Sequence, residues 1–383
     1  MFPRFQPHLN RLFLAGGMIL LLCIACKAEK PQQPALKTVF QDHFLIGAAL
    51  NPAHVSGADP RGQALVRRHF NSITPENIVK WERIHPRPGR YHFEPVDSLV
   101  DFGEENGMFI VGHTLIWHSQ TPAWVFEDSA GNPVSRDTLL QRMRDHIFAV
   151  VGRYKGRIQG WDVVNEGVED DGTWRQTPWR QIIGEDYIAK AFEWAHQADP
   201  EAELYYNDFN MWLPGKRDWT VALVKDLKSR ELRIDGVGMQ GHWGSDWPPL
   251  DEAETAIEAY AAAGAKVMIT ELDLNILPQP DANTGADISR SAALQERLNP
   301  WPDGLPDSME TFHARRYGDF FRLFVRHSDA ISRVTFWGVE DGHSWLNNWP
   351  VRGRTAYPLI FDRQYRPGKA FEAVVESASG SPE

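Results

Sequence analysis

The chain has 383 residues, of which 42% are hydrophobic and 24% charged. That is a globular composition, long enough for one large barrel or two smaller domains. A net charge of −11 and a pI near 5.7, with no block of lysine and arginine, argue against a nucleic-acid partner.

At the N-terminus, Arg4 and Arg11 lead into an apolar run from Leu12 to Ala25. At about 14 residues it has the size of a signal-peptide core and is too short to span a bilayer. Both cysteines, Cys23 and Cys26, lie at its end. Ile24-Ala25-Cys26 resembles a bacterial lipoprotein processing site, although Cys23 stands where such sites usually carry leucine. The expected organisation is a leader at 1–25, a tether at 26–38 rich in Lys, Gln and Pro, and a folded domain at 39–378. The protein is then exported to the bacterial cell envelope, at the outer membrane or in the periplasm, or otherwise secreted. A lipid on Cys26 would be its only membrane contact, and a monomer is expected.

Short apolar runs then alternate with helical patterns. Strands are expected at 44–50, 69–73, 109–116, 158–164, 203–206, 236–239, 267–270 and 334–336. The clearest helix begins after Ser135, a plausible N-cap, and stops at Gly156, with Leu139, Leu140, Met143, Ile147, Val150, Val151 and Tyr154 on one face. Others are expected at 179–198, at 251–264 with Asp251 and Glu254 as a capping box, and at 309–327. Eight strands alternating with helices, without an internal linker, indicate a single (β/α)₈ barrel. Gly47-Ala-Ala-Leu-Asn51 after the first strand is not the glycine-rich phosphate turn of a doubly wound sheet. The segment 275–306, rich in Pro, Asp and Asn, reads as a long loop on the catalytic face.

In such a barrel the site lies at the carboxyl ends of the strands. These ends carry Glu76, Asn77, Lys80 and Trp81; His113, Trp117 and His118; Asn165 and Glu166; Asn207, Asp208 and Asn210; Gln240, His242 and Trp243; Glu271 and Asp273; and Trp337 with Trp345. Indoles, amides and carboxylates in that number describe a cleft for a neutral polyhydroxylated ligand, whose rings lie on aromatics and whose hydroxyls satisfy the polar groups. His113, His242 and Asp273 lack close metal-ligand spacing, so neither a metal nor another cofactor is expected. Asp208 is a third carboxylate that could tie loops together.

Two carboxylates ending two strands are what hydrolysis of a sugar acetal requires. Their separation decides the course: about 5–5.5 Å for retention, about 6.5–9.5 Å for inversion. The stretches Ile73-Thr-Pro-Glu-Asn77 with Lys80-Trp81, Gly112-His-Thr-Leu-Ile-Trp-His118, Trp161-Asp-Val-Val-Asn-Glu166, Tyr205-Tyr-Asn-Asp-Phe-Asn210, Gly236-Val-Gly-Met-Gln-Gly-His242, Ile269-Thr-Glu-Leu-Asp273 and Phe336-Trp-Gly338 together resemble the endo-1,4-β-xylanases of glycoside hydrolase family ten. The resemblance implies Glu166 as acid/base and Glu271 as nucleophile, with Asn165 on the neighbouring sugar hydroxyl. It implies His242 on the nucleophile with Asp273 behind it. It implies substrate contacts from Glu76, Asn77, Lys80, His113, Trp117, Gln240, Trp337 and Trp345 on the non-reducing side. Tyr206 and Asn207 match positions on the leaving-group side. Xylan and xylo-oligosaccharides are the implied substrates, with Trp345 as a wall against the hydroxymethyl group of glucose. Two other readings stand beside this one: another barrel glycosidase with different cleft walls, and a glycan-binding protein without catalysis.

Overall fold

A computed structural model describes residues 33–279 and 297–379, with Met1 and Pro3. The chain divides into Met1–Gln33 and Pro34–Glu383, and the fold below is that of the second part. The expected leader and the cysteine at 26 lie outside the described residues, as does the middle of the 275–306 loop.

The strands are β1 (Leu45–Leu50), β2 (Ser72–Pro75), β3 (Phe109–Ile116), β4 (Gly160–Asn165), β5 (Glu203–Asp208), β6 (Gly236–Met239), β7 (His242–Gly244), β8 (Lys266–Asn275) and β9 (Ile331–Phe336). β1 to β6 pair in sequence order, β6 pairs with β8, β8 with β9, and β9 returns to β1, all parallel. The result is a closed eight-stranded (β/α)₈ barrel, and β7 is a short addition alongside the outer part of β8. Because both faces of these strands are covered, they read as nearly unbroken apolar runs rather than as alternation.

Inside the barrel Val111, Tyr205 and Met268 pack together with Phe109 beside them. The Arg333 guanidinium lies over the rings of Phe109 and Tyr205. Outside, a continuous core joins the sheet to the helices. The helix Arg136–Arg153 is a representative case. Ser135 Oγ accepts from Thr138 N, satisfying a donor that the first turn leaves free, and Leu139, Met143, Ile147, Val150 and Val151 are buried. Gly156, at φ 74°, turns the chain back toward β4.

Four expectations shift. Residues 69–71 do not open β2: His69 closes the helix Pro60–His69, packs against Phe361 and Phe371, and the strand starts at Ser72. The helix expected over 179–198 is two, Pro178–Ile182 and Tyr187–Ala198, parted at Gly184 with φ 104°. Asp251 and Glu254 form no capping box, because the helix Leu250–Ala262 already begins after Pro249. The tether ends earlier than residue 38, since Leu36–Val39 is a helical turn and Leu36 is fully buried.

Candidate active site

Glu271 and Asp273 stand two apart on β8, so both side chains leave the same face of the strand. Glu271 Oε1 accepts from Asn207 Nδ2 at 2.8 Å, and its Oε2 faces His242 Nε2 at 3.1 Å. The other ring nitrogen of His242 faces Asp273 Oδ2 at 3.0 Å, and that oxygen also accepts from Trp345 Nε1 at 2.8 Å. Burial opposes a charge on His242, but the adjacent Asp273 and Glu271 carboxylates win and raise its pKa to about 10. Burial would likewise lift the Glu271 carboxyl. The His242 hydrogen bond, with His113, His242 and Lys80 nearby, instead lowers it to about 2. Glu271 is therefore an ionised carboxylate held in a buried place by a charged donor.

Glu166 follows the last residue of β4 and has φ 60°, the left-handed region. Its Oε2 accepts from Trp117 Nε1 at 2.9 Å and its Oε1 from Gln240 Nε2 at 3.0 Å. Gln240 Nε2 also lies 3.2 Å from Asn165 Oδ1, which accepts from Asn207 Nδ2 at 2.9 Å. The two carboxylates are thus tied through three amide side chains, Gln240, Asn165 and Asn207. The aim of Asn207 is fixed by Thr270 Oγ1, which donates to its Oδ1 at 2.6 Å. A Cβ on Gly238 would come within 2.3 Å of that same oxygen, so only glycine leaves room for the amide.

On one side of the pair, Lys80 Nζ donates to Asn77 Oδ1 at 2.9 Å and sits 4.9 Å from the Trp117 ring and 6.0 Å from that of Trp337. His113 meets Asp162 Oδ2 through Nδ1 at 2.9 Å and presents its ring to Trp337. Burial raises the pKa of Glu76 and lowers that of Lys80, against their mutual attraction and, for Lys80, that of Glu271. Indole faces, an ammonium and amides here form a wall suited to sugar hydroxyls.

The glycosyl hydrolase family 10 model matches residues 35–377. The chain belongs to that family. It is a glycoside hydrolase. Endo-1,4-beta-xylanase A of Xylanibacter ruminicola is 46% identical over 358 residues, covering 94% of this chain and 96% of its own. The endo-1,4-beta-xylanase of Geobacillus stearothermophilus is 44% identical over 345 residues, covering 89% and 98%. Among solved structures, a GH10 endoxylanase retrieved from a sugarcane soil metagenome is similar with a TM-score of 0.84 at 44% identity, over 90% of this chain and 100% of that one. A xylanase from Paenibacillus barcinonensis, complexed with a conduramine derivative, gives 0.81 at 40% identity, over 90% and 99%.

Within this family 10 barrel, the sequence assignments of Tyr206, Asn207 and Trp243 move. Tyr206 does not line the leaving-group side of the cleft. It is fully buried, packs near Trp219, and its hydroxyl bonds Asp208 and the Gly167 amide. The cause is alternation along β5: Tyr205 and Asn207 point into the barrel, so Tyr206 and Asp208 point outward under the helices. Asn207 does point to the centre, but it too is fully buried and serves Glu271, Asn165 and Thr270. Half-buried Phe209 and Asn210 stand beyond them at that rim. Trp243, placed among the cleft residues from its position after β6, is core and packs on Phe320. Sequence reasoning also missed Thr270, Gly238 and Asp162, although each lies inside or beside a quoted motif.

Proposed function

We propose that the protein is a retaining endo-1,4-β-xylanase, with Glu271 as nucleophile and Glu166 as acid/base. The shared amide network between one ionised and one separately held carboxylate carries this reading. Glu271 attacks the anomeric carbon while Glu166 gives its proton to the departing glycosidic oxygen, leaving a glycosyl ester on Glu271. Glu166, now a carboxylate, takes a proton from water; that water attacks the same carbon and the ester bond to Glu271 breaks. His242 and Asn207 keep the attacking carboxylate ionised and aimed. Asn165, beside it, is suited to the hydroxyl next to the reacting carbon.

Xylan is the substrate that the similar proteins' names support. We assign the discrimination to Trp345: the indole is pinned by Asp273 and set edge-on to His242, and a fixed indole there is suited to exclude the extra hydroxymethyl group of glucose. The direct test is proton NMR of the first-formed product, with mass spectrometry of enzyme treated with a 2-fluoro-xylobioside. Retention and an adduct on the peptide holding Glu271 are expected, and inversion would overturn the mechanism. In the same series Glu271→Ala is expected to bind oligosaccharide yet release reducing sugar at least about 10⁴-fold more slowly.

The apolar run Leu12 to Ala25 before Cys26 supports a separate proposal, an envelope enzyme: a leader removed before Cys26, a lipid on that cysteine, a short tether, then the barrel. Fractionated cells expressing the wild type and Cys26→Ala test it. Loss of the enzyme from the membrane fraction in the variant is expected, and an unchanged distribution excludes the anchor.

A further inference from the structure

Behind Glu166, on the outer side of β5, lies a buried polar chain that the reaction does not touch. Lys216 Nζ donates to Asp208 Oδ1 at 2.8 Å. The other carboxylate oxygen accepts from the Tyr206 hydroxyl at 2.7 Å, and that hydroxyl accepts from Gly167 N at 3.0 Å. Lys216, Asp208 and Tyr206 are each fully buried.

The direction of every bond is fixed. An ammonium can only donate, so Asp208 is the acceptor; a carboxylate can only accept, so Tyr206 must donate to it. The phenol then offers its lone pairs to Gly167, the residue after Glu166. Burial lifts the Asp208 carboxyl to about 6 against the pull of the Lys216 ammonium; above that it is a carboxylate, and Tyr206 donates to it while accepting from the loop amide. A charged pair placed this deep costs desolvation and is weak ground for a purely stabilising role.

What the chain holds is an unusual piece of backbone. Glu166, at φ 60°, has a conformation that residues with a Cβ adopt rarely and keep only when their surroundings enforce it. Its own N–H donates to Asn207 O at 2.9 Å, and the next N–H goes to Tyr206. The loop beyond is tied down by the same cation: Asp170 lies 3.4 Å from Lys216 Nζ and accepts from Asn210 Nδ2 at 3.1 Å. Gly172 and Gly215 bring that loop so close to the start of the helix Pro214–Ser229 that a Cβ on Gly172 would meet Gly215 O at 2.7 Å.

We infer that Lys216, Asp208 and Tyr206 are positioning residues that set the angle at which Glu166 presents its carboxyl to the leaving oxygen. The inference rests on the acid/base reading of Glu166 and assigns these three no contact with substrate. It separates proton delivery from nucleophilic attack, because Glu271 is held by other groups.

The test compares two substrates in Tyr206→Phe, which removes both the acceptor for Gly167 and the donor to Asp208. A xylo-oligosaccharide needs a proton on its leaving oxygen; a dinitrophenyl β-xylobioside does not. Under kcat/KM, which reports glycosylation, the oligosaccharide is expected to lose roughly 10- to 100-fold, part of what general acid catalysis supplies, and the aryl glycoside less than about threefold. Equal losses on both substrates, or none on the oligosaccharide, would overturn the inference. Glu166→Ala is run beside it. If that variant shows no such split, the acid/base reading itself fails; if it does and Tyr206→Phe does not, only the positioning role falls. Should Tyr206→Phe fail to fold by circular dichroism, Asp208→Asn takes its place. An amide has one acceptor atom where the carboxylate meets Lys216 and Tyr206 through two, so one of these bonds is lost, the same split is expected and the same results decide.

Discussion

Asp273→Asn isolates the charge that keeps His242 protonated. Asp273 touches His242 Nδ1 at 3.0 Å and is itself buried. With charge centres about 4 Å apart, such a pair is worth roughly 4 kcal/mol at an effective dielectric near 20. One pKa unit corresponds to about 1.36 kcal/mol, so loss of the charge lowers His242 by about 2–3 units. That brings it from about 10 into the mildly alkaline range. The assay is the Cε1 resonance of ¹³C-labelled His242 followed against pH, with kcat/KM measured over the same range. In the variant the imidazole is expected to lose its proton near pH 7–8, and with it the positive charge beside Glu271. A new alkaline limb should appear there, about tenfold per pH unit. Trp345→Phe removes the other hydrogen bond to Asp273 but no charge, so it should leave the titration of His242 high. A His242 signal in Asp273→Asn that titrates where the wild type does would refute the argument, because its charge would then come from elsewhere.

Gly238→Ala would place a Cβ within 2.3 Å of Asn207 Oδ1; the displaced amide loses its aim at Glu271, and kcat/KM on xylan should fall on the order of 10²-fold, as for a misplaced catalytic group. The melting temperature measured in parallel should change far less in relative terms. The contacts of His242 with Asp273, the larger influence, and with Glu271 also predict a pH dependence of stability. Their value on the His242 side is fully present below the ordinary 6.5 and is lost as pH rises toward about 10. On the Glu271 side it is present above 4.5 and is lost as pH falls toward about 2. The His242–Glu271 contribution enters both limbs and is counted once. Urea midpoints of the wild type and Glu271→Gln should differ most between these limits and converge outside them; a constant difference at every pH would exclude the linkage. Trp345→Ala removes the proposed wall, and the ratio of cellulose to xylan turnover should rise. An unchanged ratio assigns the discrimination to another residue.

Most of the barrel is visible in the chain because parallel strands covered on both faces are short apolar runs, and the polar residues that end them mark the catalytic rim. What the residues alone do not give is register. A shift of one position turns a side chain to the other face of a strand: the resemblance implies both Tyr206 and Asn207 for the cleft, yet as neighbours on β5 they face opposite ways and only Asn207 points inward. Trp243 failed for a related reason: lying just past a strand end says nothing of which way an indole turns, and Phe320 supplied an apolar partner from a distant helix. His69 and Phe70 look like the start of a strand, yet three-dimensional packing on Phe361 and Phe371, far along the chain, makes His69 the close of a helix. Thr270 and Gly238 were hidden because their contribution is to the aim of Asn207, not to any chemistry of their own.

The two carboxylates are held by different kinds of structure, and the difference suits the roles proposed for them. Glu271 lies within a ten-residue strand, between residues paired to β9 on either side of it along the chain, its N–H donates to Gln240 O at 2.6 Å, and its charge is held by His242 and Asn207. A nucleophile that must reach one carbon along one line gains from that rigidity. Glu166 lies just beyond its strand, on a left-handed residue, and its backbone is fastened by the Asn207 carbonyl and the Tyr206 hydroxyl instead. An acid that later serves as a base must face first a glycosidic oxygen and then a water on the same side of the sugar. Placing it on a turn makes its direction adjustable by the groups beneath it, without disturbing the strand that carries the attack. If that division holds, substitutions under the turn alter the dependence of rate on the leaving group, and substitutions around β8 lower the rate for every leaving group alike.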